Sequence, residues 1–137
     1  MHMIRLIAFT SSVLWLSASV ASAQISESLL ESAGDNRIEI ERALDEVEEG
    51  HRADLMWMLE HMPAEDLKSL DSNFLLENIR LARDAWQSAP WRDQIDIELY
   101  RDAILPYACV NETRERWRPE MRARMSELVA GSETISE

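Results

Sequence analysis

The sequence predicts an all-α protein, an array of about five short-to-medium helices that follows a cleavable signal peptide. Three observations lead to this prediction. Glycine and proline, which interrupt helices, number only three and four among 137 residues. Apolar residues recur at the three- and four-residue spacing of a helix face. No segment shows the alternating pattern of a half-buried strand, and no internal repeat is visible.

Residues 1–23 have the features of a secretory signal peptide. A basic residue, Arg5, comes before an apolar segment over 4–16, and small residues end in Ala21-Ser22-Ala23. The apolar segment is shorter than the ~20 residues that a membrane-spanning helix needs. We therefore expect cleavage before Gln24, no stable membrane span afterwards, and a mature protein in the periplasm or outside the cell.

Residues 24–130 are predicted to form one helical domain, and residues 131–137 a frayed tail. Residues 26–33 can form a first short helix, which Gly34 would stop. Asn36 and Glu39 have the spacing of a capping box at the start of a second helix. The apolar positions of that helix are Ile38, Ile40, Leu44 and Val47.

Four further apolar stripes predict the remaining helices. In chain order these stripes are Leu55, Met58, Leu59 and Met62; Leu75, Ile79, Ala82 and Trp86; Ile97, Tyr100, Ile104 and Leu105; and Trp117, Met121, Met125 and Leu128. Pro63 and Pro106 end two of these segments, and residues 64–70 predict a short helical turn. Pro119 falls where a last helix would begin, a position at which proline is tolerated.

The charge of the chain limits its partners. The formal net charge is −12 at pH 7, and removal of the leader with Arg5 would leave −13. Nucleic-acid binding depends on lysine and arginine side chains that neutralise phosphates. We therefore expect no nucleic-acid partner.

Histidine and carboxylate side chains give no metal or cofactor site. His51 and His61 are ten residues apart, which on one helix separates them by roughly 80° and ~15 Å. They cannot share an ion unless the helix breaks. Glu46, Glu48 and Glu49 crowd one stretch, and a solvated helix face is the favoured interpretation. We predict no metal ligand and no cofactor.

The single cysteine, Cys109, decides whether the chain carries a catalytic thiol. Three roles are open: a buried small hydrophobic residue, an intermolecular disulfide partner, or a reactive thiol. A catalytic thiolate needs a base, usually histidine, and no histidine follows Cys109. His51 or His61 could approach it only through folding. We therefore predict that Cys109 is buried packing and that the chain has no catalytic residue.

The residues around Cys109 predict a corner between two helices. Pro106 ends the preceding helix, and Tyr107 can pack while its hydroxyl finds a partner. Trp117 can bury a large surface. Glu112 and Arg116 would form a favourable i, i+4 pair if the segment between them were helical.

Several phrases, in this order and spacing, resemble the region that precedes the catalytic core in bacterial secreted transglutaminase-like proteins. The resemblance covers residues 55–118, about half of the chain. Its phrases are Met62-Pro63, Asp66-Leu67, Leu70, Phe74-Leu75-Leu76-Glu77-Asn78, Pro90-Trp91, Leu105-Pro106-Tyr107-Ala108, Glu112 and Trp117-Arg118.

The resemblance implies a papain-like α+β core with a Cys-His-Asp triad for acyl transfer or amide hydrolysis. That core would follow the Trp117-Arg118 phrase, after which this chain has nineteen residues. Cys109 does not match the family's nucleophile, so no catalytic role is carried over to any residue. The chain departs from the family pattern at Cys109, where a small polar residue is expected, and at Pro119.

Three functional hypotheses follow. The leading one is an exported, non-catalytic helical domain or truncated fragment of a transglutaminase-like protein, whose partner would be the missing core. The alternative is a periplasmic module that binds a protein or peptide through an apolar groove marked by Met56, Met58 and Met62, although core filling is the favoured role of these methionines. The third makes Cys109 a nucleophile with His51 or His61 as its base.

Overall fold

The computed structural model describes residues 25–109 and 112–132, and the predicted signal peptide lies outside them. Every regular element in these residues is helical and none is a strand, which confirms the all-α prediction. The helices are α1 (Glu27–Ala33), α2 (Arg37–Glu46), α3 (Arg52–Glu60), α4 (Ala64–Leu67), α5 (Ser72–Ser88), α6 (Ile97–Leu99) and α7 (Arg118–Gly131). None of the described helices has the length and apolar character needed to cross a bilayer.

The first two helices form as the sequence predicts, apart from the capping box. The Ser26 hydroxyl accepts a hydrogen bond from the backbone N–H of Leu29, and α1 ends at Gly34, whose φ is +57°. A 3-10 turn then leads directly into α2, and its Gly34 carbonyl accepts the N–H of Arg37. The capping-box prediction is wrong. The side-chain amide of Asn36 donates instead to the carbonyls of Leu67 and Leu70, at 2.8 and 2.9 Å.

Helix α5 is the central helix of the domain. Its N-terminus is capped by the Asp71 carboxylate, which accepts the backbone N–H of Phe74 at 2.7 Å. The predicted stripe is confirmed, since Leu75, Ile79 and Ala82 are buried. The helix packs against α2, α3 and α7. Each large aliphatic side chain buried there stabilises the fold by ~1.5–3 kcal/mol.

The predicted helix over 97–105 begins as α6 and widens into a π-helical turn, Tyr100–Ile104. The backbone N–H of Leu105 donates to the carbonyl of Tyr100 at 2.9 Å, five residues back. Tyr100 and Leu105 are fully buried. Pro106 follows and cannot continue the helical hydrogen bonding, so the segment ends where the sequence predicts.

The segment from Glu112 to Trp117 is not helical, so the condition for an i, i+4 pair of Glu112 with Arg116 is not met. Arg116 instead contacts two acids at the start of α5, Glu77 at 2.8 Å and Asp71 at 3.2 Å. The Glu112 carboxylate accepts the backbone N–H of Cys109 at 2.8 Å. Both side chains therefore have partners outside their own segment.

Helix α7 exists where the sequence predicts it, with Pro119 in its first turn. The helix runs to Gly131, the first residue of the predicted tail, and residues 133–137 lie outside the described part. Its apolar stripe is not buried, however. The exposed fractions of Trp117, Met121, Met125 and Leu128 are 38%, 41%, 43% and 67%. The burial expected of Trp117 is therefore incomplete.

Candidate functional site

Cys109 is exposed, so the prediction of a buried thiol is wrong. It lies after Tyr107 and Ala108, at the point where the chain leaves the core. Tyr107 fills the apolar space at this corner with its ring, and Cys109 is left at the surface. The sulfur of Cys109 is therefore outside the core, although its neighbours in the sequence are apolar.

The two histidines among the described residues, His51 and His61, have partners other than Cys109. The Nδ1 atom of His51 lies 3.8 Å from the Glu48 carboxylate. His61 stacks on Trp57, with ring centroids 4.1 Å apart, and its Nδ1 atom lies 2.7 Å from the Trp57 carbonyl. No hydrogen bond among the described residues joins either imidazole to the thiol. The geometry therefore gives no support to the hypothesis of a Cys109 nucleophile.

The three methionines of the predicted groove, Met56, Met58 and Met62, are buried in the core. The groove expected at these positions is therefore absent, and the favoured core-filling role is confirmed. Glu46, Glu48 and Glu49 are exposed, as a solvated face predicts. Within residues 25–109 and 112–132, no three His, Cys, Asp or Glu side chains come together as a metal-ion site.

A buried carboxylate anchors the segment that carries Cys109. The Asp66 side chain accepts a hydrogen bond of 2.6 Å from the Tyr107 hydroxyl and pairs with the Arg114 guanidinium at 2.9 Å. The hydroxyl partner expected for Tyr107 is thus Asp66. Burial, together with this hydrogen bond, raises the pKa of Tyr107 above its ordinary value, so its hydroxyl stays protonated as a donor.

Asn78 and Arg118 join this segment to α5 and α7. The amide of Asn78, which is buried on α5, donates to the Leu105 carbonyl at 2.9 Å and accepts a hydrogen bond from Arg118. The Arg118 guanidinium also donates to the carbonyls of Ile104, Leu105 and Pro106. It thereby satisfies carbonyls that the end of the π-helical turn leaves without helical partners.

Arg118 is a partly buried cation. Its guanidinium makes no ion pair with the described residues, and burial lowers its pKa to about 10. That pKa keeps the side chain protonated at neutral pH. The carbonyl oxygens and the Asn78 amide offset part of the cost of desolvating the charge.

Five residues make up what we call the polar corner: Asp66, Asn78, Tyr107, Trp117 and Arg118. The last contact that closes it is the Trp117 indole N–H, which donates to the Tyr107 carbonyl at 2.7 Å. The corner connects α4, α5, the segment after the π-helical turn and the start of α7. The predicted corner between two helices is confirmed, and its main contacts are polar.

The sequence does not predict the roles of Asn78 and Arg118, although it contains one indication for Asn78. Asn78 lies between Leu75 and Ile79 on the buried stripe of α5. A polar residue on such a stripe needs a hydrogen-bonding partner in the core. The partner itself could not be identified, because it is a backbone carbonyl brought there by folding.

A second buried cluster of an acid, a tyrosine and an arginine lies at the start of the π-helical turn. Asp54 accepts a hydrogen bond of 3.2 Å from the Tyr100 hydroxyl and pairs with Arg83 at 2.9 Å. Tyr100 also stacks on Trp86, with ring centroids 4.5 Å apart. Burial raises the pKa of Tyr100 above its ordinary value. The cluster ties α3, α5 and the π-helical turn together.

An apolar groove of about 390 Å³ runs between α5 and α7. We call it the α5–α7 groove. Its apolar lining consists of Leu81, Ala85, Trp117, Met121, Met125, Val129 and Ala130. Arg118 and Arg122 also line it, and none of its lining residues is acidic. The sequence predicts an apolar groove at Met56, Met58 and Met62, whereas the structure has its uncovered apolar surface here.

Scans of the chain against models of known protein families, curated proteins and solved structures find no match.

Proposed function

We propose that this protein is an exported, non-catalytic helical domain of the kind that precedes the catalytic core in transglutaminase-like proteins. The polar corner carries the proposal. All five of its residues belong to the phrases of the resemblance, and they are spread from position 66 to position 118. They nevertheless converge on residues 105–107, because Asp66 and Trp117 hydrogen-bond to Tyr107, and Asn78 and Arg118 hydrogen-bond to the Leu105 carbonyl. This convergence supports a structural reason for the order and spacing of those phrases.

The corner suggests what such a domain does. It fixes the first turn of α7 against α5 and against the end of the π-helical turn. In proteins that the chain resembles, the catalytic core follows the phrase matched here by Trp117-Arg118. The proposed role is therefore to set the position and direction of a following or partner core, while the helical domain supplies no reacting group.

Export is part of the proposal because of residues 1–23. Their basic start, apolar segment and Ala-x-Ala end favour secretion with cleavage before Gln24. N-terminal sequencing of the protein secreted by an expressing bacterium tests this part. We expect the mature chain to begin at Gln24, and retention of Met1 in the exported protein would contradict it.

A binding module without enzymatic relatives is the second candidate function. The observation that favours it is the α5–α7 groove, which leaves a line of apolar side chains uncovered on an acidic protein. Uncovered apolar surface of this kind is typical of sites that bind other proteins. The two functions are compatible, because a core or a separate protein can occupy the same groove.

An activity assay tests the non-catalytic part of the proposal. The purified protein is incubated with a glutamine-containing peptide and a primary amine, and the amide product and released ammonia are measured. We expect neither above the blank, with the same result for Cys109→Ser. Turnover that Cys109→Ser abolishes would overturn the proposal and establish Cys109 as a nucleophile.

The genomic DNA after codon 137 tests the relation to a catalytic core. We expect it to encode, in the same or a shifted frame, a segment with the Cys…His…Asp order of a transglutaminase-like core. An unrelated gene at that position would contradict this relation and leave the binding module as the function.

A further inference from the structure

We propose that the α5–α7 groove binds one amphipathic helix of a partner protein, and that a carboxylate on this helix pairs with Arg122. The inference depends on the shape and charge of the groove. It does not depend on the resemblance to transglutaminase-like proteins.

The length of the uncovered stripe favours a helix as the occupant. Trp117, Met121 and Leu128 mark a line of exposed apolar side chains along α7. Eleven residues separate its ends, which corresponds to ~16 Å along a helix. A partner helix presents apolar anchors at i, i+3 or i+4, and i+7 over a similar length. Leu128 does not line the groove itself, so the apolar surface extends beyond what a small molecule within it would cover.

The groove combines a fixed aromatic side chain with adaptable neighbours. The indole N–H of Trp117 is held by the Tyr107 carbonyl, and the Arg118 guanidinium carbon lies 4.6 Å from the centroid of its ring. Met121 and Met125 are unbranched and can adjust to the side chains of a partner. A fixed tryptophan beside flexible methionines is suited to a helix-in-groove interface.

The charges around the groove favour an acidic partner. No Asp or Glu side chain of the described residues lines the groove, whereas Arg118 and Arg122 do. Arg122 lies 3.8 Å from the Asp84 carboxylate, and the same carboxylate oxygen is 3.2 Å from Arg80. Two guanidinium groups therefore share one carboxylate. The Arg122 side chain is 39% exposed and can accept a second acid from a partner.

The same charges argue against a second copy of this chain as the occupant. A twofold interface places the same surface of each copy against the other. Two acid-free, arginine-lined grooves would then face each other, and like charges placed opposite one another oppose association. A partner helix that brings its own carboxylate meets no such repulsion.

The test uses two fluorescein-labelled amphipathic peptides that are helical and identical except for one residue on the polar flank, Glu in one and Lys in the other. Fluorescence anisotropy measures their affinity for the purified protein. We expect the Glu peptide to bind at least tenfold more tightly than the Lys peptide. The Arg122→Glu variant should reverse this preference, and Arg122→Gln should abolish it.

Two further variants distinguish binding in the groove from non-specific binding to exposed apolar side chains. Met121→Glu places a charge in the groove and should weaken binding of the Glu peptide at least tenfold. Ile38→Glu makes the same kind of change at an apolar residue of α2 outside the groove, which is 65% exposed, and should leave affinity unchanged. Circular dichroism of each variant establishes that it is folded before its affinity is compared.

Three results would overturn the inference. The first is the absence of binding by either peptide, and the second is equal affinity for the Glu and Lys peptides. The third is a dimer of the protein, detected by light scattering at micromolar concentration, that Met121→Glu dissociates and Ile38→Glu does not. That result would assign the groove to a second copy of the chain.

Discussion

At the residue scale, two buried aspartates organise the segment that precedes α7. Asp54 and Asp66 each accept a hydrogen bond from a tyrosine and pair with an arginine. A buried carboxylate is costly unless its charge is paired and its oxygens are hydrogen-bonded. Because each partner comes from a distant part of the chain, the clusters select one arrangement of the helices and exclude alternatives that would leave an acid unpaired.

The sequence predicted only part of these clusters. The hydroxyl of Tyr107 was expected to find a partner, because a buried tyrosine needs one. That this partner is Asp66 could not be foreseen, since 41 positions separate the two residues. Cys109 is the clearest failure. Its apolar neighbours in sequence predicted burial, but the chain turns outward after Tyr107 and leaves the thiol exposed.

The exposure of Cys109 gives a prediction about its reactivity and its small structural role. We expect the thiol of the native protein to react fully with a thiol-specific disulfide reagent, at the rate it shows in denaturant to within about tenfold. Replacement of an exposed side chain that packs against little changes stability by less than ~0.5 kcal/mol, so Cys109→Ser should unfold at nearly the wild-type urea concentration. A thiol that reacts only after unfolding would contradict the exposed position.

At the scale of elements, α7 differs from α2, α3 and α5 in having an apolar face that the other described helices cover only in part. The spacing of Trp117, Met121, Met125 and Leu128 predicted the helix, because apolar periodicity follows from helical geometry. The same periodicity does not predict which part of the protein covers the apolar face of α7. Here α5 covers one side of it, and the remainder forms the wall of the α5–α7 groove.

The start of α2 shows why local motifs can fail. Asn36 and Glu39 have the spacing of a capping box, but folding gives both side chains distant partners. Asn36 donates to carbonyls at the end of α4, and Glu39 accepts the backbone N–H and the hydroxyl of Ser72 at 2.9 and 2.8 Å. Tertiary hydrogen bonds replace the local ones. Glu39 therefore connects α2 to the first turn of α5.

This connection predicts a pH dependence of stability. The hydrogen bonds from Ser72 lower the pKa of Glu39 below its ordinary value of 4.5. A lowered folded-state pKa means that the carboxylate stabilises the fold fully above the unfolded-state pKa, and that this contribution is lost as the pH falls through the folded-state pKa. Glu39→Gln should therefore unfold at lower urea than wild type at pH 7, and the difference should shrink below pH 4.5.

Glu46→Gln is the matched control for this prediction. Glu46 is exposed on the same helix and makes no ion pair or side-chain hydrogen bond with the described residues. Its substitution should leave the urea midpoint close to wild type at pH 7 and at pH 3. If the gap between wild type and Glu39→Gln is the same at both pH values, the Ser72 contacts do not stabilise the charged form of Glu39.

At the scale of the whole molecule, an acidic helical domain combines one rigid corner with one uncovered groove. The net charge of −12 keeps the surface soluble, yet the groove that carries exposed apolar side chains is lined by arginines. Composition predicted the helical class and the acidic surface. Composition could not predict that no described acidic side chain lines this groove, because the distribution of charge depends on how α5 and α7 face each other.

We expect the polar corner to hold α7 in place on a helical core that is otherwise complete. Arg118 is the residue to test, because it connects α7 to Asn78 and to three carbonyls of the preceding segment. Arg124 provides the matched control. It lies on the same helix and pairs only with Glu120, at 3.5 Å, among the described residues.

Amide hydrogen exchange of wild type, Arg118→Met and Arg124→Met, measured by mass spectrometry of peptides from α2, α5 and α7, tests this claim most directly. We predict that Arg118→Met exchanges fast in α7 while α2 and α5 keep wild-type protection, and that Arg124→Met exchanges as wild type does. Unchanged protection of α7 in Arg118→Met, or equal loss of protection in all three helices, would contradict the claim.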